Sequence, residues 1–317
     1  MENQAKSSVF KYQHGWSITQ TLEYLVTALK DGLDISISTS GSSGKPKEIL
    51  IPARAIIYSA RNANEFLGAK PGDRWSLLLS PEHTAGLNVL VRSIELGTTP
   101  VTVNETAEFT AIVPTQLYRA LNGDEQLLKH LKKCRAVLVG GAAADEALLL
   151  RAKAEGINCI TTYGMTETSG GCVYNGVPLS DVEIRINETI EIKGPMLARV
   201  ELKDSYFVTQ DIGRFEDGKL IIIGRIDDVI NSGGKKVSLS KVESALGDEF
   251  AAYATDSSEW GSALNIVTTG KMSDDEIQLI LSIKFGVKAL SIKRIPEIPR
   301  TALQKIDRVA LGKLISS

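Results

Sequence analysis

From residue 34 onward, short apolar runs alternate with longer stretches in which apolar positions recur every three or four residues. Residues 35–38 (ISIS) and 48–51 (EILI) read as strands on either side of a glycine-rich loop. Residues 52–67 place Ile56, Ile57, Ala60, Phe66 and Leu67 at helical spacing and predict a helix. Strand 75–80 (WSLLLS), helix 86–96 and strands 100–103 and 110–113 follow, then a helix opened by Pro114. Strand 136–141 (AVLVGG), helix 145–155 and strand 158–163 (NCITTY) complete the series. This alternation predicts an α/β fold: a large N-terminal domain of layered, mostly parallel sheets.

The texture changes after Gly171. Residues 173–224 are rich in short strands and turns (VEIRI, TIEIKG, KLIIIG) and predict a β-rich subdomain. The polar, turn-prone stretch 224–236 (GRIDDVINSGGKK) reads as a hinge. The remainder predicts a small α+β unit with helices over 242–246 and 274–285. The expected division is residues 1–225 and residues 226–317.

Composition narrows the function. At 317 residues with a net charge of 36 − 38 = −2, the chain has no general basic field for nucleic acid or an anionic membrane. No apolar run approaches the roughly 20 residues of a membrane span, and the first ten residues lack the apolar centre of a signal peptide. The three cysteines, Cys134, Cys159 and Cys172, have no short metal-type spacing. An odd, sparse count fits a reducing compartment, so the expectation is a cytoplasmic protein.

Four segments carry candidate chemistry. TSGSSGKPKE (residues 39–48) sets glycines, hydroxyls and lysines between two strands. Glycines let backbone N–H groups approach a phosphate, and the lysines add charge. It is not a Walker loop, which needs glycine at Thr39 and Ser or Thr at Pro46; a solvated turn is the alternative. YGMTETSGG (163–171) follows a strand directly. There Glu167 suits Mg²⁺, which takes one or two carboxylates plus phosphate oxygens and water, or else is a solvated or capping carboxylate. Asp211 and Arg225 bracket DIGRFEDGKLIIIGR, where an aspartate at a strand end can accept ribose hydroxyls; a turn aspartate and a surface ion pair are the alternatives. Lys305, near the C-terminus, is either solvated or placed to stabilise charge developing at a phosphate. His83, one of three histidines, follows a strand where a pocket wall would lie, and no Gly-x-Ser-x-Gly elbow accompanies it.

In order and spacing, these segments resemble the adenylate-forming superfamily of acyl- and aryl-CoA ligases, luciferases and peptide-synthetase adenylation domains. The resemblance covers roughly residues 35 to 310 and implies that family's fold. It implies 1–225 as the AMP-binding domain and 226–317 as a small mobile domain carrying the lysine. ATP, Mg²⁺ and CoA are the implied cofactor and co-substrates. Thr39, Ser40, Gly41, Ser42, Ser43, Gly44, Lys45 and Lys47 would hold the β- and γ-phosphates. Gly140, Gly141 and Ala142, with Tyr163, would frame adenine. Thr166 would touch the α-phosphate and Glu167 the Mg²⁺, while Asp211 and Arg225 would bind ribose. Lys305 would bridge the reacting carboxylate and the α-phosphate, Asp227 would be the pivot of the small domain, and Gly233 and Gly234 would line the CoA path. His83 and residues 164–169, Gly164 and Ser169 among them, would border the acid.

SPEHTAGLNVLVRSIELGT, AIVPTQLYRAL and VLVGGAAADEALLLRA narrow the resemblance to a branch acting on an aromatic dicarboxylate, 2-succinylbenzoate, in menaquinone biosynthesis. Arg92 or Arg119 would pair with its second carboxylate. Another acyl- or aryl-CoA ligase, an enzyme loading a carrier protein, and a non-catalytic nucleotide-binding module remain as alternatives. The implied partners are small molecules, with a homodimer as the assembly to examine. Three departures stand out. Relatives carry well over a hundred residues before the phosphate loop, which here lies near residue 40, so a shortened N-terminal region is expected. Glu48 stands where the family has Gly after Pro-Lys, and Gln304 where it has Gly before the lysine.

Overall fold

A computed structural model describes residues 9–40, 46–142, 144–247, 249–257, 261–300 and 306–316. Residues 41–45 of the expected phosphate loop and the segment 301–305, with Lys305, lie outside the described residues. The chain divides into two compact units. One comprises Met1–Arg185, Glu191–Val208 and Glu216–Leu220; the other comprises Ile186–Ile190, Thr209–Phe215 and Ile221–Ser317.

In the first unit, the alternating apolar runs form a six-stranded sheet. Trp75–Ser76, Phe109–Ile112, Ala136–Val139 and Cys159–Met165 run parallel, with Phe109 opposite Ala136 and Val139 opposite Thr161. Gly170–Tyr174 and Val177–Pro178 extend the sheet antiparallel. The central strands Phe109–Ile112 and Ala136–Val139 are buried along their whole length, which is why they read as unbroken apolar runs. The segment 75–80 departs from expectation. Only Trp75 and Ser76 enter a ladder, while Leu77 N–H donates to the Val101 carbonyl. The expected strand 100–103 is a single parallel bridge, Ser76 to Val101.

A second sheet of this unit orders Val9–Lys11, Asp34–Ser40 and Pro46–Ile51. The last two form an antiparallel pair that brings Thr39 opposite Lys47. Helix Ala53–Phe66 packs with helix Thr84–Glu95 through Ile56, Ala60, Leu87, Leu90 and Val91. Helix Ile18–Lys30 also contributes to this core and opens on a reciprocal Ser17–Gln20 capping box.

In the second unit, helices Leu239–Leu246 and Asp274–Phe285 share a core with the sheet that includes Phe250–Ser257 and Gly261–Thr268. Val242, Leu264, Ile266, Ile277 and Leu281 are its fully buried centre. Helix Arg308–Ser316 adds Leu311 to a smaller cluster with Ala251, Val267 and Ile298.

Candidate adenylate site

In the first unit, the predicted residues gather where the parallel strands end, the edge at which open α/β sheets bind ligands. Strand Cys159–Met165 runs directly into the 3₁₀ turn Thr166–Thr168. The Thr168 hydroxyl accepts from Met165 N–H at 2.9 Å and donates to the Gly170 carbonyl at 2.7 Å. Ser169 is left-handed at φ 52 and fully buried; its hydroxyl donates to the Met196 carbonyl at 2.6 Å. That side chain braces the turn. A Cβ on Gly164 would stand 2.0 Å from the Gly170 carbonyl oxygen, and the ladder shifts register between Tyr163 and Gly164. Only glycine lets the two backbones approach this closely.

Thr166 and Glu167 emerge from that turn with their chemistry unspent. Thr166 Oγ1 accepts from Thr84 Oγ1 at 2.9 Å, so its own hydroxyl hydrogen remains for a ligand. Ala198 N–H donates to the Glu167 carbonyl at 2.9 Å, while no described residue bonds or pairs with the half-buried Glu167 carboxylate. Among the described residues, no three His, Cys, Asp or Glu side chains converge to cage a metal. A single free carboxylate beside a threonine hydroxyl fits Mg²⁺, whose remaining ligands are phosphate oxygens and water.

Gly140, Gly141 and Ala142 leave the adjoining strand at the same edge. Gly140 N–H donates to the Ile112 carbonyl, and a Cβ at Gly140 would lie 2.2 Å from Thr162 Oγ1. Gly141 and Ala142 are exposed, and Tyr163 is half-buried on the neighbouring strand. Exposed His83 is the N-cap residue of helix Thr84–Glu95 and makes no side-chain cap. Lys47 is exposed on the outgoing strand, where its carbonyl accepts from Thr39 Oγ1 at 3.1 Å. Glu48 is absorbed locally by the Ser36 hydroxyl and Lys11, which hold its carboxyl below the usual range.

The two candidate arginines differ sharply. Arg119 is exposed in the last turn of helix Pro114–Leu121. Arg92 is 4% exposed; its guanidinium lies 4.8 Å from the Trp75 ring centroid and donates to Tyr174 Oη at 3.2 Å. Its Nε has no partner, and among the described residues no carboxylate pairs with it. One turn earlier, buried Asn88 donates from Nδ2 to the Thr84 and Ser169 carbonyls while its Oδ1 is unpartnered. A buried cation without an anion is costly; the described partners of this one are the Trp75 ring face and Tyr174 Oη.

In the second unit, half-buried Asp211 begins the strand Asp211–Glu216, and its N–H donates to Thr209 Oγ1. Arg225, exposed, ends the paired strand Lys219–Arg225. Its guanidinium meets Gln210 Oε1 and, from Nε, Asp227 Oδ1 at 3.3 Å. The two ribose candidates thus flank the open end of one hairpin. Gly233 and Gly234, at φ 60 and 79, form the two-residue turn that pairs Ser232 with Lys235. Such a turn requires positive φ at both positions.

Residues 35–206 match the AMP-binding enzyme family across more than half of the chain. The chain belongs to this family. A "Probable 2-succinylbenzoate--CoA ligase" of Mycobacterium tuberculosis (strain CDC 1551 / Oshkosh) is 38% identical over 251 residues, covering 69% of this chain and 65% of that protein. The 2-succinylbenzoate--CoA ligase of Lactococcus lactis is 27% identical over 321 residues, covering 87% and 70%. This AMP-binding enzyme therefore spans just under two thirds of the mycobacterial relative's length. Its fold is shared with o-succinylbenzoate CoA synthetase of Bacillus subtilis, solved with its acyl-adenylate intermediate: TM-score 0.72, 22% identity, 96% of this chain and 78% of that one. The same synthetase with ATP and magnesium ion aligns at TM-score 0.70 and 23% identity, over 88% and 69%.

Sequence reasoning missed Thr84 and Asn88, which brace the turn at Thr166 and Ser169 in this AMP-binding enzyme. Their only sequence signal is a polar residue on the buried face of an otherwise apolar helix. No described helix is long and apolar enough to cross a membrane.

Proposed function

We propose that this AMP-binding enzyme joins 2-succinylbenzoate to CoA in menaquinone biosynthesis through an acyl-adenylate. The substrate's succinyl carboxylate attacks the α-phosphate of ATP, pyrophosphate leaves, and the acyl group then passes to the CoA thiol with release of AMP. The observation that carries the choice of acid is Arg92, a buried guanidinium with no carboxylate partner among the described residues, in a chain whose relatives bear that ligase name. The second carboxylate of the acid supplies the missing anion, and this favours Arg92 over exposed Arg119.

Thr166 donates its remaining hydroxyl hydrogen to the α-phosphate. Glu167 holds Mg²⁺, which supplies charge neutralisation on the triphosphate. Gly140, Gly141, Ala142 and Tyr163 frame adenine, Asp211 and Arg225 take the ribose, and the 39–47 segment holds the β- and γ-phosphates. His83 and Gly164 border the acid, with Ser169 behind them, and Gly233 and Gly234 lie on the CoA path. Lys305 neutralises charge at the reacting carboxylate and α-phosphate. Residues 1–225 serve as the adenylation domain, and 226–317 as a small domain that turns about Asp227. The reading carries with it a cytoplasmic location, small-molecule partners rather than nucleic acid, and a homodimer to be checked by sedimentation.

The test is pyrophosphate release across acids that include 2-succinylbenzoate and benzoate, with and without CoA. Release with 2-succinylbenzoate and a thioester with free CoA are expected. Release without a CoA thioester points to a carrier-protein loader, preference for another acid to a different CoA ligase, and no release to a binding module.

A further inference from the structure

Arg308 stands three residues after Lys305 and is the first residue of helix Arg308–Ser316. Its guanidinium is spent on three chain segments. From Nη1 it donates to Glu243 Oε1 at 2.9 Å and to the Ala252 carbonyl at 2.6 Å. From Nη2 it donates to Glu243 Oε2 at 3.1 Å and Asp228 Oδ1 at 3.2 Å. The Glu243 pair is bidentate, the geometry that fixes a guanidinium most firmly.

Both carboxylates are themselves held. Ala252 N–H donates to Glu243 Oε1 at 2.8 Å, and Asp228 accepts from the Ser238 hydroxyl and from Ser240 N–H and Oγ. Asp228 directly follows Asp227, and Arg225 Nε reaches Asp227 from the preceding strand. The described residues on either side of 301–305 are also tied. Arg300 bridges Ile306, Asp307 N–H donates to the Pro299 carbonyl at 2.9 Å, and Asp307 Oδ1 caps Ala310 N–H at 3.0 Å. Arg300 thus stands opposite Ile306, and Arg308 anchors the chain that follows to Asp228, just past the expected pivot.

We propose that Arg308 is a positioning residue: it clamps the chain that directly follows Lys305 to Asp228 and Glu243, so that rotation about Asp227 brings Lys305 to the reacting carboxylate. This rests on the ligase reading above and assigns Arg308 no contact with substrate. A positioned group loses much of its effect when displaced by an ångström. The clamp therefore matters for adenylation, which uses Lys305, and not for thioester formation, which does not.

The test measures both half-reactions with ATP, Mg²⁺ and 2-succinylbenzoate, or with supplied acyl-adenylate and CoA. Arg308→Gln is expected to slow pyrophosphate release about 10- to 100-fold while thioester formation stays within about twofold of wild type. In a Lys305→Ala background, Arg308→Gln should add less than about a further twofold, because a lysine that is absent cannot be misplaced. Equal losses in both half-reactions, or a full further loss in the Lys305→Ala background, overturn the proposal. Should Arg308→Gln fold poorly, Glu243→Gln retains an oxygen for Ala252 N–H and weakens only the clamp. It should show the same half-reaction bias with a smaller loss, and an unbiased loss overturns the proposal.

Hydrogen exchange at the Asp307, Ala310 and Leu311 amides gives a readout independent of activity. Faster exchange in Arg308→Gln is expected, and unchanged protection overturns the clamp. A wild-type chain that releases no pyrophosphate with any acid overturns the ligase reading and the catalytic half of this proposal, and exchange then decides the clamp alone.

Discussion

Thr84 Oγ1 donates to Thr166 Oγ1 at 2.9 Å, tying the first residue of one helix to the first residue of the turn that ends a sheet strand. The bond takes a lone pair of Thr166 and leaves its proton free. Thr166→Val is expected to slow adenylation about 100- to 1,000-fold, the scale for losing one donor at the reacting phosphate. Thr84→Val removes only the brace and should cost about tenfold, through the misplacement of Thr166. Single-turnover pyrophosphate release with saturating ATP checks both. Equal effects would mean that Thr84 itself touches the ligand.

Arg92 separates function from stability. Replacing buried ionic groups by well-packed apolar side chains of similar volume is often neutral or stabilising. Arg92→Met should therefore keep or raise the urea midpoint while raising the KM for 2-succinylbenzoate by about 10- to 100-fold, the scale of a charge-assisted pair. Benzoate, which lacks the second carboxylate, should lose far less. A parallel loss for both acids would remove Arg92 from acid recognition.

Lys305→Ala should slow adenylation about 100- to 1,000-fold and spare thioester formation from supplied acyl-adenylate. Rapid-quench measurement of each half-reaction decides this. A matched fall in both steps would count against the lysine's assigned part.

At Gly164 the constraint is steric. A methyl group there meets the Gly170 carbonyl at 2.0 Å, and backbone rather than a flexible side chain would have to move. Gly164→Ala should cost about 2–3 kcal/mol of stability by overpacking, read from urea unfolding. An unchanged midpoint would show that the strand pair can open without penalty.

His130 predicts a pH dependence. It is 5% exposed, its Nε2 lies 2.7 Å from Ser76 Oγ, and burial pushes its pKa below the usual value. The folded chain thus holds His130 neutral where the unfolded chain takes up a proton. Stability is level above about pH 6.5, the unfolded value, and falls as pH drops from there toward the lower folded pKa. Urea midpoints between pH 8 and pH 5 should show this fall, and His130→Gln should flatten it.

Legibility varied along the chain for physical reasons. Helix 274–285 was readable to the residue, because Ser273 and Glu276 form a reciprocal cap at its start and Gly286, at φ 66, ends it. Helix Ile18–Lys30 carried the same kind of signal in Ser17 and Gln20, yet it was not read from the pattern. WSLLLS was over-read as a strand. An apolar run marks burial, but not whether the backbone pairs in a ladder, and here Leu77 bonds Val101 outside one.

The sequence by itself determined most of the alternation of strands and helices after residue 34, the glycine-bearing turns and the family's motifs. These depend on side-chain period and on backbone conformations that neighbouring residues impose. The two strands that flank the glycine-rich segment followed from the same local rules. Only the tertiary structure decided that Thr84 meets Thr166 across 82 residues, that Arg92 is buried without a carboxylate among the described residues, and that Arg308 reaches Asp228 across 80. Contacts at that separation are set by which elements the core brings side by side. A polar side chain gives the same local signal whether its partner is water, a distant residue or a substrate.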